Sequence, residues 1–213
     1  MKKLIILVAT LCIFLTSCAV LGGNDSELSG AKITPLPSTV NVNDLKDCSV
    51  AVSLNKGDAF VDDNGIMQMK VTVYDYNLYD MVDISKLAVG DTIVIGKNDV
   101  VVSSLERNSI GTVIINGGLE EGGYELATSE NGVFFESGYN DAKSYYSVGE
   151  ATIRVSTEFE YCDNSELDSE EKCYYPGDFL NDNAGIDYNF TPHNTSIVIQ
   201  DGQVIAMNRV YVP

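Results

Sequence analysis

Ile66-Met67-Gln68-Met69-Lys70-Val71-Thr72-Val73-Tyr74-Asp75-Tyr76 alternates without a break, with Met67, Met69, Val71 and Val73 on one side and Gln68, Lys70 and Thr72 on the other. A period of two residues puts successive side chains on opposite faces of an extended chain, so this stretch is predicted to be a half-buried β-strand. Its Met67-Met69-Val71-Val73 side is expected to face a core. Directly before it stands Asp62-Asp63-Asn64-Gly65. Asn-Gly favours a two-residue hairpin turn in which both central positions have positive φ, which makes Ala59 to Val61 the partner strand.

The same grammar extends in both directions. Ser49 to Leu54 is β-prone and is followed by the turn residues Asn55-Lys56-Gly57-Asp58. Beyond Tyr76, Asp83 to Leu87 suits one helical turn capped by Asp83. Leu87-Ala88-Val89-Gly90-Asp91-Thr92-Ile93-Val94-Ile95 then leads through Gly96-Lys97-Asn98-Asp99 into a strand from Val100 to Glu106. That entry pattern is similar to the strand entries of small SH3-like or OB-like barrels. Further strands are predicted at 111–116, 124–128, 132–136 and 151–161. A closing pair at 196–200 and 203–212 is joined by Asp201-Gly202, another hairpin signal. Short strands at this spacing, with no long amphipathic helix and no fixed-period repeat, predict an all-β fold: an antiparallel barrel or sandwich with long acidic loops. The loops are expected at 140–146 and 163–187, where function commonly sits on a rigid sheet.

The chain has 213 residues, 45% of them hydrophobic, enough to fill a core, and a formal net charge of −18. Thirteen lysines and arginines, scattered along the sequence, cannot supply the clustered cations that nucleic-acid binding needs, so nucleic acid is excluded as a partner. An acidic surface primarily favours solubility, and it would also suit a basic protein partner.

The N-terminus carries an address. Lys2 and Lys3 precede an uncharged run from Leu4 to Leu15, which is too short to span a bilayer of roughly 20 apolar residues but suits a signal segment. It ends in Leu15-Thr16-Ser17-Cys18, which resembles the lipobox of bacterial lipoproteins. The resemblance covers about twenty residues. It implies that residues 1–17 are a signal peptide and that Cys18 receives a diacylglycerol, with acyl chains such as palmitate, before cleavage in front of it. It further implies a protein anchored to the cell membrane or outer membrane and facing outside the cytoplasm. Residues 18–45, with Gly22, Gly23, Gly30, Pro35 and Pro37, are then expected as the lipidated N-terminus and a flexible tether, and residues 46–213 as a single β-rich domain.

Few residues point to chemistry. Cys162 and Cys173 bracket an acidic loop and are a candidate disulfide in an oxidising compartment. Two reduced thiols are equally consistent with the sequence. Cys48 reads as a small hydrophobe entering a strand. A zinc site is not indicated, because one histidine and three separated cysteines show no ligand-pair spacing. Asp178 to Asp187 places oxygen donors at alternate positions beside Gly185. That makes Asn181, Asn183 and Asp187 candidate calcium ligands, although an ordinary polar turn accounts for the same residues.

His193, in Thr191-Pro192-His193-Asn194, has no nucleophile motif beside it and reads as an exposed turn residue. The absence of tryptophan weakens any sugar-stacking site; the twelve tyrosines could stack instead, but Tyr74, Tyr76, Tyr79, Tyr145, Tyr146, Tyr174 and Tyr175 are better explained by sheet faces and loop packing. Together these features favour a lipid-anchored extracytoplasmic domain that binds a protein or small ligand, or has a structural role, at the bacterial cell envelope. The alternatives are a surface hydrolase using two facing carboxylates and an acidic inhibitor or immunity-type lipoprotein.

Overall fold

A computed structural model describes residues 30–129, 131–166 and 170–212. Residues 1–29, which include the expected signal peptide and Cys18, lie outside the described residues. The fold is all-β, with two short α-helices among the described residues, and no described helix is long and apolar enough to cross a membrane.

In chain order the structure begins with β1 (Lys32–Ile33), β2 (Cys48–Ser53), β3 (Ala59–Val61) and β4 (Met67–Tyr76). Then come β5 (Leu78–Tyr79), α1 (Met81–Lys86), β6 (Thr92–Ile95), β7 (Asn98–Val101), β8 (Leu105–Arg107), β9 (Val113–Ile115), β10 (Tyr124–Thr128) and β11 (Phe134–Ser137). The chain closes with β12 (Tyr145–Asn164), β13 (Lys172–Tyr174), α2 (Pro176–Phe179), β14 (Thr195–Gln200) and β15 (Gln203–Val210).

Strand β4 is the half-buried strand its alternation predicts, with Met69, Val71 and Val73 almost fully buried. It pairs antiparallel with β2 and with the first half of β12. The second half of β12 runs parallel to β15, β15 pairs with β14, and β14 returns to β2. The ring of hydrogen bonds is closed. Strand β12 makes closure possible because its 20 residues serve two partners: Arg154 opposes Gln68 on one side and Gln203 on the other. Of the five barrel strands, the first pairs with the second and fourth, and the third pairs with the second and, in parallel, with the fifth. That is the connectivity of an OB-type Greek-key barrel. Strands β3 and β13 extend it at the flanks.

The barrel encloses Val52, Met69, Val73, Ile197, Ile199 and Met207, each at most 1% exposed. Burial of such side chains contributes roughly 1.5–3 kcal/mol apiece before entropy is charged against it. Near the C-terminal half of β12, α2 inserts Phe179 against Phe159, Tyr161 and Phe190, with ring centroids 5.6, 5.5 and 6.5 Å away.

Residues 46–213, expected as one β-rich domain, build two hydrophobic cores. The second is built by the segment between β4 and β12 together with β1 and its buried Ile33 from the N-terminal stretch. There a three-stranded sheet (β1-β6-β7) and a five-stranded sheet (β5-β11-β10-β9-β8) share Tyr79, Ile84, Ile93, Ile115 and Leu126. The Leu87–Ile95 segment that resembles a small-barrel entry belongs to this insertion and not to the closed barrel.

Several expectations need correction. Residues 30–45, expected as tether, are built into the fold: β1 pairs in parallel with β6, Ile33 is buried, and Val40, Val42 and Leu45 pack on the barrel core. Apolar side chains spaced through a Gly- and Pro-containing stretch anchor it without regular periodicity. The helical turn begins earlier, with Asp80 as the cap that accepts from the Val82 and Asp83 amides. At Asn64-Gly65 only the glycine has positive φ. The turn is a longer one, organised by Asp62, whose carboxylate accepts the Asn64 and Ile66 amides. Asp201-Gly202 does form the tight hairpin, with φ of 50° and 72°.

Candidate functional site

The outer face of the barrel carries a cleft of about 360 Å³. Strand pleat explains its composition. Where Val50, Val73, Ile197 and Met207 turn inward, their neighbours Ala51, Tyr74, Ser196 and Asn208 turn outward. These four are ladder partners in one row: Tyr74 opposes Ala51, Ala51 opposes Ser196, and Ser196 opposes Asn208. The row forms a polar floor across four strands.

Aromatic rings form one wall. Tyr76, at the end of β4, and Tyr145, at the start of β12, are register partners whose rings meet edge to face with centroids 5.6 Å apart. His193, from the loop before β14, meets Tyr145 edge to face at 5.3 Å. Lys143 Nζ lies 4.2 Å from the Tyr76 ring centroid, a cation–π contact that holds the one lysine of the cleft over its wall. Burial raises the Tyr145 phenol above its ordinary value, with Lys143 opposing the shift, so this hydroxyl remains protonated and able to donate at neutral pH.

Asp75 is the single carboxylate lining the cleft among the described residues. It accepts hydrogen bonds from the Ser38 hydroxyl and, at 2.8 Å, from the Tyr76 amide. Two facing carboxylates, which glycosidic hydrolysis requires, are not brought together here. The carboxyl with a raised pKa is elsewhere. Glu136, on β11, is pushed up by burial despite hydrogen bonds from Ser144, Asn77 and the Gly96 amide.

The residues singled out in the sequence are distributed differently. Cys162 and Cys173 are register partners on β12 and β13 with Sγ atoms 3.5 Å apart, both free thiols. Cys48 opens β2 and packs against the barrel core, as a small hydrophobe would. Asn181 Oδ1 accepts from the Asn183 amide at 3.0 Å within its own turn. Asp187 binds Arg209 Nη2 at 2.9 Å and accepts from the Asn189 amide at 3.2 Å. The Asn181 and Asp187 oxygens offered for calcium thus each accept a hydrogen bond from the protein. His193 is exposed, as a turn residue should be, but it also borders the cleft.

Tyr76, Tyr145, Lys143 and Asn208 carried no functional signal in the sequence. Their proximity comes from barrel closure, which joins the end of one strand to the start of another after a long insertion. The alternating pattern around Tyr74 and Tyr76 gave only their face. No family model, no curated protein and no solved structure matches the chain.

Proposed function

We propose that this chain is a lipid-anchored, extracytoplasmic binding protein of the bacterial cell envelope, attached through Cys18, and that its cleft takes a short, uncharged saccharide. The observation that carries the ligand class is the lining of the cleft: Tyr76, Tyr145 and His193 on one wall, with Ser196, Asn194 and Asn208 beside them. Aromatic carbon suits the apolar face of a sugar ring, while amides and hydroxyls exchange hydrogen bonds with its hydroxyl groups. One lysine and one aspartate give the lining little net charge, which favours a neutral ligand over an anion. The lipobox resemblance supports the location. The formal charge of −18 disfavours broad contact with anionic lipid, which leaves attachment to the acylated cysteine.

Calorimetric titration of the full-length protein with a panel of cell-envelope saccharides tests this reading. One class is expected to bind. Tyr145→Ala and Asn208→Ala are each expected to weaken that binding by about tenfold, the equivalent of one good packing or hydrogen-bonding contact. No binding across the panel, or binding indifferent to both substitutions, would overturn the reading.

A further inference from the structure

We propose that Cys162, Cys173 and Glu160 form a binding site for a thiophilic divalent cation, of which zinc is the chemical type, on the outer face of the barrel. The site is independent of the cleft and of any ligand held there. Sequence spacing concealed it, since the two cysteines stand on opposite sides of an acidic loop. Antiparallel pairing of β12 with β13 sets them opposite each other, and Glu160, two residues before Cys162, shares their face. One ligand atom from each of the three lies within 4.8 Å of the others.

The geometry suits a single ion. With zinc–sulfur bonds near 2.3 Å, two sulfurs on a tetrahedral ion stand about 3.8 Å apart. The thiols already lie at 3.5 Å. Closing around the ion therefore needs shifts of only a few tenths of an ångström in the sulfurs and a rotation of the Glu160 carboxylate. Cys173 is exposed, which leaves the fourth position open to water.

The electrostatics separate cation binding from redox chemistry. The carboxylates of Glu160 and Glu171 act electrostatically on the Cys162 thiol, and no cation is among its neighbours in that interaction. Cysteines adapted for thiol exchange sit in electropositive surroundings that stabilise the thiolate. These surroundings are electronegative. They attract a divalent cation. Binding forms two metal–sulfur bonds and one metal–oxygen bond, and releases two protons to solvent.

The test uses the full-length chain carrying Cys12→Ser and Cys18→Ser, reduced, stripped with chelator and titrated with zinc alone, then with cadmium to read thiolate-to-metal absorption. One ion per chain is expected, with release of about two protons. Binding is expected to be lost in Cys162→Ser and in Cys173→Ser, weakened about tenfold or more in Glu160→Gln, and retained in Cys48→Ser. Circular dichroism of each variant, checked against the parent, establishes that folding is intact. Absence of binding, zinc affinity that survives both cysteine substitutions, or oxidation of the pair to a disulfide that excess zinc does not slow would overturn the proposal.

Discussion

Arg209 Nη2 lies 2.9 Å from Asp187 Oδ2, while Nη1 of the same guanidinium is 3.5 Å from Asp163 Oδ2. The two carboxylates are not equivalent. The Arg209 side chain is 6% exposed and that of Asp163 12%, whereas that of Asp187 is 68% exposed. Removing one member of a desolvated pair leaves the other charge buried without compensation, but solvent screens an exposed partner. Asp163→Ala is therefore expected to cost about 3 kcal/mol and Asp187→Ala about 1 kcal/mol or less. Urea unfolding of both variants checks the order, and equal losses would contradict it.

Two carboxyls give opposite pH signatures. Burial alone would raise Asp163, but bonds from the Ser165 hydroxyl and amide, with Tyr161 and Arg209, hold it below its ordinary 3.8. Its contribution is present above that pH and is lost as pH falls through the lowered folded value. Burial of Glu136 outweighs its hydrogen bonds and raises it above 4.5. Its contribution is complete below 4.5 and is lost as pH rises through the raised folded value. Relative to the parent, Asp163→Asn is expected to flatten the fall in Tm below about pH 4. Glu136→Gln is expected to remove a decline on the neutral side of pH 4.5. Thermal unfolding from pH 2 to 8 reads both, and an unchanged profile in either variant would contradict its assignment.

The short helix α2 acts mainly through one side chain. Phe179 is 5% exposed and touches four other aromatic rings, those of Phe159, Tyr161, Tyr188 and Phe190, so Phe179→Ala removes both its transfer energy and its packing. A loss of about 3 kcal/mol is expected, and Phe179→Leu should restore part of it. A loss below about 1 kcal/mol would show that the helix merely covers the barrel.

Asn116 organises the second core. It sits at φ 54°, accepts from the Ser103 amide and hydroxyl at 2.8 and 2.9 Å, and donates to the Val101 carbonyl at 2.9 Å. Asn116→Ala loses the hydrogen bonds and strains the backbone. Asn116→Gly loses only the bonds. Both are expected to destabilise, the alanine variant by about 1 kcal/mol more than the glycine variant. Equal stabilities would contradict the strain assignment.

What the sequence made legible was local. Alternation from Ile66 to Tyr76 gave the orientation of β4, and Asp201-Gly202 gave the β14–β15 hairpin. Strand β13 escaped because Lys172-Cys173-Tyr174 is too short to show a period and is held extended by β12. Strand β1 escaped because two residues among glycine and proline become a strand only when Lys32 and Ile33 meet Thr92 and Ile93. Barrel closure rests on parallel pairing between β12 and β15, a contact with no local signature. The cleft depends on that closure, which is why Tyr76, Tyr145 and Asn208 carried no signal as a group while the face of each strand did.

Whether Cys18 is acylated decides where the cleft works. Mass spectrometry of the N-terminal peptide, taken from membrane and soluble fractions of producing bacteria, measures it directly. The expected peptide begins at Cys18, carries a diacylglycerol, is found in the membrane fraction and is lost from it in Cys18→Ser. A soluble protein that retains Met1, or a membrane-bound one with unmodified Cys18, would contradict it.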